Sequence, residues 1–115
     1  MSVKIYHNPR CSKSRQTLQL LEENGVQAEV IQYLKTPPTA DELESILIML
    51  DIQPRELMRT KEAEYKATGM DNPELSRDAL IAGMVNTPKL IERPIVLANG
   101  KAAIGRPPES VLAIL

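Results

Sequence analysis

At 115 residues the chain is long enough for one domain to bury a core without disulfide or metal staples, and its 43% hydrophobic content is ordinary for a globular protein. Fourteen Lys and Arg against fifteen Asp and Glu leave a formal charge of −1, so no global field draws the protein to nucleic acid or an anionic membrane, and any positive site must be local. The opening MSVKIYHNP lacks the long apolar run of a signal peptide and Ile46 to Leu50 is too short to span a bilayer, so a cytoplasmic location is expected.

In chain order, Val3 to Tyr6 alternates apolar and polar β-formers and then meets Asn8-Pro9, which predicts a short strand ending in a turn. Ser14 to Asn24 carries Leu18 and Leu21 on one side with good helix formers between, and Gly25 stands where a helix C-terminal cap belongs. Ala28 to Tyr33 is β-rich, so the first third of the chain is expected to be a βαβ unit with parallel strands, closed by Thr36-Pro37-Pro38. Thr39 and Glu42 form a capping-box pattern, after which Leu43, Ile46, Leu47 and Leu50 repeat at i, i+3, i+4 and i+7. Between Asp51 and Val85 only helical pieces are expected, around 54–58, around 62–67 and from Ser76 onward. Strand signals return at Pro94 to Leu97, followed by Asn99-Gly100 as a two-residue hairpin turn and Lys101 to Ile104. Pro107-Pro108-Glu109 then opens a last short helix, Ser110 to Leu115. The expected organisation is a single α/β domain over 1–115, βαβ then ββα on a mixed four-stranded sheet, with a helical insertion at about 39–86. This is the element order of thioredoxin-like folds, with the chain's only cysteine at the first strand-to-helix turn.

That cysteine lies in HNPRCSKSR, residues 7–15. In a reducing compartment a lone thiol is a buried small hydrophobe, a metal ligand or a nucleophile. A metal site is not expected, because one Cys and one His four residues apart complete no tetrahedral set. The buried-hydrophobe alternative, usual for a solitary cysteine, is weakened by the absence of an aliphatic or aromatic neighbour from Asn8 to Thr17. A helix start and nearby cations both favour the thiolate, whose ordinary pKa is about 8.5. Cys11 is expected to have both, with His7, Arg10, Lys13 and Arg15 as local positive charge and the Ser14 hydroxyl as a donor to the sulfur. Free N–H groups at the helix start would also seat an oxyanion, so the loop pairs a nucleophile with an anionic substrate. Arg93, just before Pro94, and Arg106, before Pro107, lie in loops that such a fold can bring to the cysteine, where a planar guanidinium can grip an oxyanion with two prongs.

The chain resembles the glutaredoxin-dependent arsenate reductase family, or ArsC family, through Tyr6-His7-Asn8-Pro9 before Cys11, Ser14-Arg15 after it, Tyr33-Leu34 with Pro37-Pro38-Thr39, and Arg93-Pro94-Ile95-Val96. The resemblance covers nearly the whole chain and implies reduction of arsenate to arsenite in the cytoplasm for arsenic detoxification. It implies Cys11 as catalytic nucleophile and Arg59, Arg93 and Arg106 as oxyanion-binding residues, while His7, Ser14 and Arg15 are expected from their places in the loop to support the thiolate. Composition alone does not separate Arg59 from its neighbours Arg55 and Lys61. The resemblance also implies a cis Arg93-Pro94 bond, no bound cofactor, glutathione as external reductant and glutaredoxin as partner. With no second cysteine the protein cannot close an internal disulfide, so an external thiol must supply electrons. A low-mass tyrosine phosphatase is set aside because its loop needs an arginine six places after the nucleophile, and Thr17 stands there. Two alternatives remain: a glutathione-linked thiol-disulfide oxidoreductase working through Cys11, and a non-enzymatic thioredoxin-like regulator that binds a protein partner. Cys11-Ser12-Lys13-Ser14 lacks the second thiol of a CxxC switch, which counts against the regulator.

Overall fold

A computed structural model describes residues 2–115. The chain divides into two compact units, one running up to Thr36 and resuming at Arg93–Leu115, the other spanning Pro37–Glu92.

The first unit is built on a sheet. Strands β1 (Val3–His7), β2 (Glu29–Gln32), β3 (Ile95–Ala98) and β4 (Lys101–Ile104) lie in the order β2-β1-β3-β4. β1 runs parallel to β2, with Ile5 opposite Val30, and antiparallel to β3, with Ile5 opposite Val96. β3 and β4 are antiparallel, joined through Asn99 and Gly100, both at positive φ (55° and 72°) as a two-residue hairpin of this hand requires. The parallel pair is connected by helix α1 (Ser12–Glu23), which buries Ser14, Thr17 and Leu21 along one face. Its end is a Schellman turn: Val26 N–H reaches Leu21 O at 2.9 Å and Gly25 N–H reaches Glu22 O at 3.0 Å, with Gly25 at φ 73°. Because alternate strand residues share a face, Val3 and Ile5 of β1 join Val96 and Ala98 of β3 to meet Leu21 of α1 and Val111 in one core. Leu21 is fully buried there, so Leu21→Ala would cost about 2 to 5 kcal/mol. The chain ends in a 3₁₀ helix, Pro108–Ile114, rather than the α-helix expected over 110–115. Its close companion is the hairpin, where Asn99 Nδ2 donates to Ile114 O at 2.9 Å.

The second unit is helical. Helix α2 (Ala40–Leu50) starts on the expected capping box, with Glu42 N–H donating to Thr39 Oγ1 at 3.1 Å and Thr39 N–H to Glu42 Oε1 at 3.0 Å. It ends at Asp51 in the left-handed region, φ 55°. A 3₁₀ turn at Pro54–Leu57, helix α3 (Ala63–Ala67) and helix α4 (Arg77–Asn86) follow, the last capped by Ser76 Oγ. Leu43, Ile46 and Leu47 of α2 and Leu80, Ile81 and Met84 of α4 are buried, and the two helices pack together. A further 3₁₀ turn at Pro88–Leu90 and one antiparallel bridge between Met58 and Ile91 complete it. The bridge puts an extended contact in a stretch where the periodicity signals only helices.

Among the described residues no helix is long and apolar enough to cross a membrane.

Candidate active site

Cys11 is the N-cap residue of α1, with extended backbone (φ −92°, ψ 123°), and the loop that delivers it is tightly fastened. Asn8 makes two of the fastenings: its carbonyl accepts from Cys11 N–H at 3.0 Å and its side-chain Oδ1 accepts from Arg10 N–H at 3.0 Å. This is the Asx-type turn that an Asn at a strand end favours, and it presents the cysteine to the first turn of the helix.

Burial pushes the Cys11 thiol up, yet opposing effects hold it below its ordinary value: the Ser14 backbone N–H, the Arg93 guanidinium, the Lys13 backbone N–H and the Arg106 guanidinium. The helix start therefore acts as expected, while the cations that matter come from the far end of the chain. Arg106 Nη2 lies 3.6 Å from Cys11 Sγ as a hydrogen-bond donor, across 95 positions of sequence. Its Nε donates to Arg93 O at 2.9 Å, so the two arginines are fixed to each other. Arg93-Pro94 is cis, as the resemblance implies, and Arg106-Pro107 is cis as well, which no sequence signal announces. Gly105 holds this arrangement together, with its N–H on Pro94 O at 2.9 Å and its carbonyl 3.5 Å from Thr17 Oγ1.

The local supports behave differently from expectation. The Ser14 hydroxyl is engaged with His7 Nδ1 at 2.6 Å and accepts from Asn8 N–H at 3.0 Å, so the group of Ser14 that favours the thiolate is its backbone N–H. His7 is not the positive charge foreseen at the thiol: burial, and then the Arg15 charge, depress its pKa, which favours the neutral imidazole. With the ring neutral, Nδ1 can accept the Ser14 hydroxyl proton while that oxygen takes the Asn8 N–H. Arg15 donates through Nη1 to Pro9 O at 2.9 Å and so braces the loop. Arg10 lines a neighbouring groove of about 200 Å³ together with His7, Leu34 and Lys35.

Arg59 belongs to the helical unit. Its Nη2 pairs with Glu62 Oε1 at 2.6 Å, and its backbone N–H donates to Leu90 O at 2.7 Å. Arg55, which composition could not tell from Arg59, is a structural residue: its guanidinium donates to the Tyr65 hydroxyl, to Met70 O at 2.7 Å and to Asn72 O at 3.0 Å. Gly105 is the residue that sequence reasoning passed over, and the fastening role of Asn8 goes beyond the turn expected there. Asn8 was legible as an Asx turn former before a proline, whereas nothing in the sequence marks Gly105.

A thiol held toward its thiolate at a helix start, on a four-stranded mixed sheet with a parallel β1-α1-β2 unit, defines a thioredoxin-like protein with a single cysteine. The ArsC family profile matches residues 6–114, and the chain belongs to that family. Among its relatives, the uncharacterized protein YfgD of Escherichia coli (strain K12) is 60% identical over 114 residues, covering 98% of this chain and 96% of that protein. A protein named arsenate reductase from Neisseria meningitidis is 55% identical over 114 residues, covering 98% and 97%. The solved structure of an arsenate reductase from Vibrio cholerae superposes with a TM-score of 0.97 at 54% identity, covering 100% of this chain and 98% of that one.

Proposed function

We propose that the protein reduces arsenate to arsenite, with Cys11 as nucleophile and glutathione and glutaredoxin as the source of electrons. The observation that carries this reading is the Arg106 guanidinium 3.6 Å from a Cys11 sulfur that is also favoured as thiolate by two helix-start N–H groups and Arg93. Such a site serves two needs at once. The donors keep the sulfur nucleophilic, and the same positive field neutralises the oxyanion that would otherwise repel it.

In this mechanism the Cys11 thiolate attacks arsenic(V), a proton is delivered to an arsenate oxygen, and water leaves, giving a sulfur–arsenic(V) adduct. A glutathione thiolate then attacks the Cys11 sulfur; the sulfur–arsenic pair of electrons stays on arsenic, which departs as arsenite. Two thiols have been oxidised to a Cys11–glutathione disulfide and arsenic has been reduced by two electrons. With one cysteine in the chain, that mixed disulfide must be opened by an external thiol, the role assigned to glutaredoxin. Arg93 and Arg106 are assigned to the oxyanion, and Arg59 is assigned to it on family resemblance.

The decisive experiment is arsenite production by the purified protein with glutathione and glutaredoxin, run beside a thioredoxin system and beside disulfide exchange on a glutathionylated peptide. Arsenite formed only in the first arm, and lost in Cys11→Ser, is the expected result. Arsenite formed only with thioredoxin would overturn the electron donor, and peptide exchange without arsenite would replace the activity with thiol transfer.

A further inference from the structure

Because β1 and β2 run parallel, their C-terminal ends lie side by side, with His7 opposite Gln32. The segments that leave them, Asn8-Pro9-Arg10 toward the cysteine and Leu34-Lys35 beyond β2, wall the groove of about 200 Å³, which lies wholly inside the sheet unit. Both walls are stiff: Asn8 Oδ1 takes the Arg10 N–H at 3.0 Å, and Gln32 O takes the N–H groups of Lys35 and Thr36, each at 2.9 Å.

Leu34, 45% exposed, shares this groove with two cations, and no carboxylate lines it. Among the described residues neither the Arg10 guanidinium nor the Lys35 ammonium has an ion-pair or hydrogen-bond partner; the bonds these residues make come from their backbone N–H groups. Two uncompensated cations beside an apolar lining suit a ligand arm with a carboxylate on a short apolar stem. The volume is below the roughly 300 Å³ at which pockets begin to enclose whole small molecules, so the groove takes one arm of a ligand.

Glutathione carries such an arm. Its glycine end bears a carboxylate with no ammonium beside it, whereas its γ-glutamyl end is a zwitterion, and the glycine adjoins the residue with the thiol. In the chain Arg10 likewise adjoins Cys11, their Cα atoms about 3.8 Å apart. A glycine carboxylate held at Arg10 therefore leaves the glutathione sulfur one residue's reach from Cys11.

We propose that this groove receives the glycine arm of glutathione, with Arg10 and Lys35 on its carboxylate and Leu34 against its stem, and so delivers the thiol that attacks the Cys11 sulfur. The inference rests on the reading that glutathione is the electron donor. It gives Arg10 and Lys35 to the step that releases arsenite, while Arg93 and Arg106 serve the step that binds arsenate.

The test needs no arsenate. In the full chain the Cys11 thiolate attacks a disulfide, forms a mixed disulfide and releases the other half as a thiolate, at a rate followed by mass spectrometry. Three disulfides are compared: glutathione disulfide, the same disulfide esterified at its two glycine carboxylates, and neutral hydroxyethyl disulfide, whose rate reports the reactivity of the thiol itself. The parent should prefer glutathione disulfide to its ester by roughly two- to fivefold, the range of an exposed ion pair. Arg10→Ala and Lys35→Ala should each lower that preference and together abolish it, while Lys101→Ala, on the opposite edge strand, keeps it. Leu34→Ser changes no charge, yet it should slow both glutathione forms about twofold against hydroxyethyl disulfide. A parent without the preference, or Arg10 and Lys35 variants that keep it, would overturn the groove assignment. A preference lost with the cations beside an unaffected Leu34→Ser would mark a diffuse positive field and overturn it too. Variants that exchange with glutathione as the parent does, but whose mixed disulfide is opened slowly by glutaredoxin, would give the groove to the protein partner instead. Failure of the donor reading shows itself separately, as arsenate reduction that glutathione does not support.

Discussion

Gly105 is the point at which the site is most sensitive to a small change. A Cβ there would lie 2.4 Å from Thr17 Oγ1, 2.8 Å from Pro94 Cγ and 3.0 Å from Thr17 Cγ2. None of these atoms yields easily: Thr17 is fully buried, β-branched and tied by its hydroxyl to Lys13 O at 2.8 Å, and Pro94 is a closed ring. Gly105 is not at positive φ, so the obstacle to alanine is the clash and not the backbone. Overpacking of this kind costs about 1 to 3 kcal/mol, from which the smaller unfolded-state entropy of alanine removes about 0.4 to 1. Taking the middle of each range, about 2 less about 0.7, Gly105→Ala should destabilise by about 1.3 kcal/mol, which at roughly 4 °C per kcal/mol for a chain of this size lowers the melting temperature by about 5 °C. The displacement should also reach Arg106, the next residue, and loosen its 3.6 Å contact with Cys11 Sγ, so alkylation of the thiol at neutral pH should slow. Thermal melts and iodoacetamide kinetics read the two effects. Thr17→Ala removes two of the three close contacts, so combining it with Gly105→Ala should cost less than the sum of the single changes. A melting temperature within about 1 °C of the parent, or strict additivity of the pair, would refute the argument.

Thiolate absorbance against pH should show Cys11 ionising below the ordinary thiol range; Arg106→Ala should move that transition upward and, on the proposed mechanism, weaken transition-state stabilisation by about 2 to 4 kcal/mol, read as kcat/KM. His7, the chain's only histidine, should titrate below about 6.5 by NMR. Because its folded pKa is depressed, the associated stability is present above the unfolded value and is lost as pH falls through that value toward the folded one; a His7→Asn variant, lacking the titrating group, should show less of this loss in denaturant midpoints between about pH 7 and 5.5. Arg55→Ala should lower stability by about 1 to 2 kcal/mol, since it strips a charged donor from two backbone carbonyls and the Tyr65 hydroxyl, whereas Arg77→Ala, which gives up an exposed pair with Glu44, should cost clearly less in the same denaturant titration.

Much of the architecture is legible in the chain because the interactions that decide it are local. The Thr39–Glu42 box, the Gly25 cap and the Asn99-Gly100 turn are each made by residues within five positions of one another, so their partners can be read side by side. The position of Cys11 at a helix start follows from the same kind of pattern. Tertiary structure alone decided which charges reach the sulfur. Arg10, Lys13 and Arg15 are its neighbours in sequence, yet Arg93 and Arg106 are the cations that lower its pKa, because β3 pairs with β1 and brings the Arg93-Pro94 and Gly105-Arg106 segments to the α1 start. It likewise decided that His7 is buried and favoured as the neutral ring, and that Arg55 is a brace while Arg59 is held by Glu62. Periodicity and capping depend on residue type and spacing, whereas burial and Coulomb fields depend on distance in space, which no spacing along the chain records.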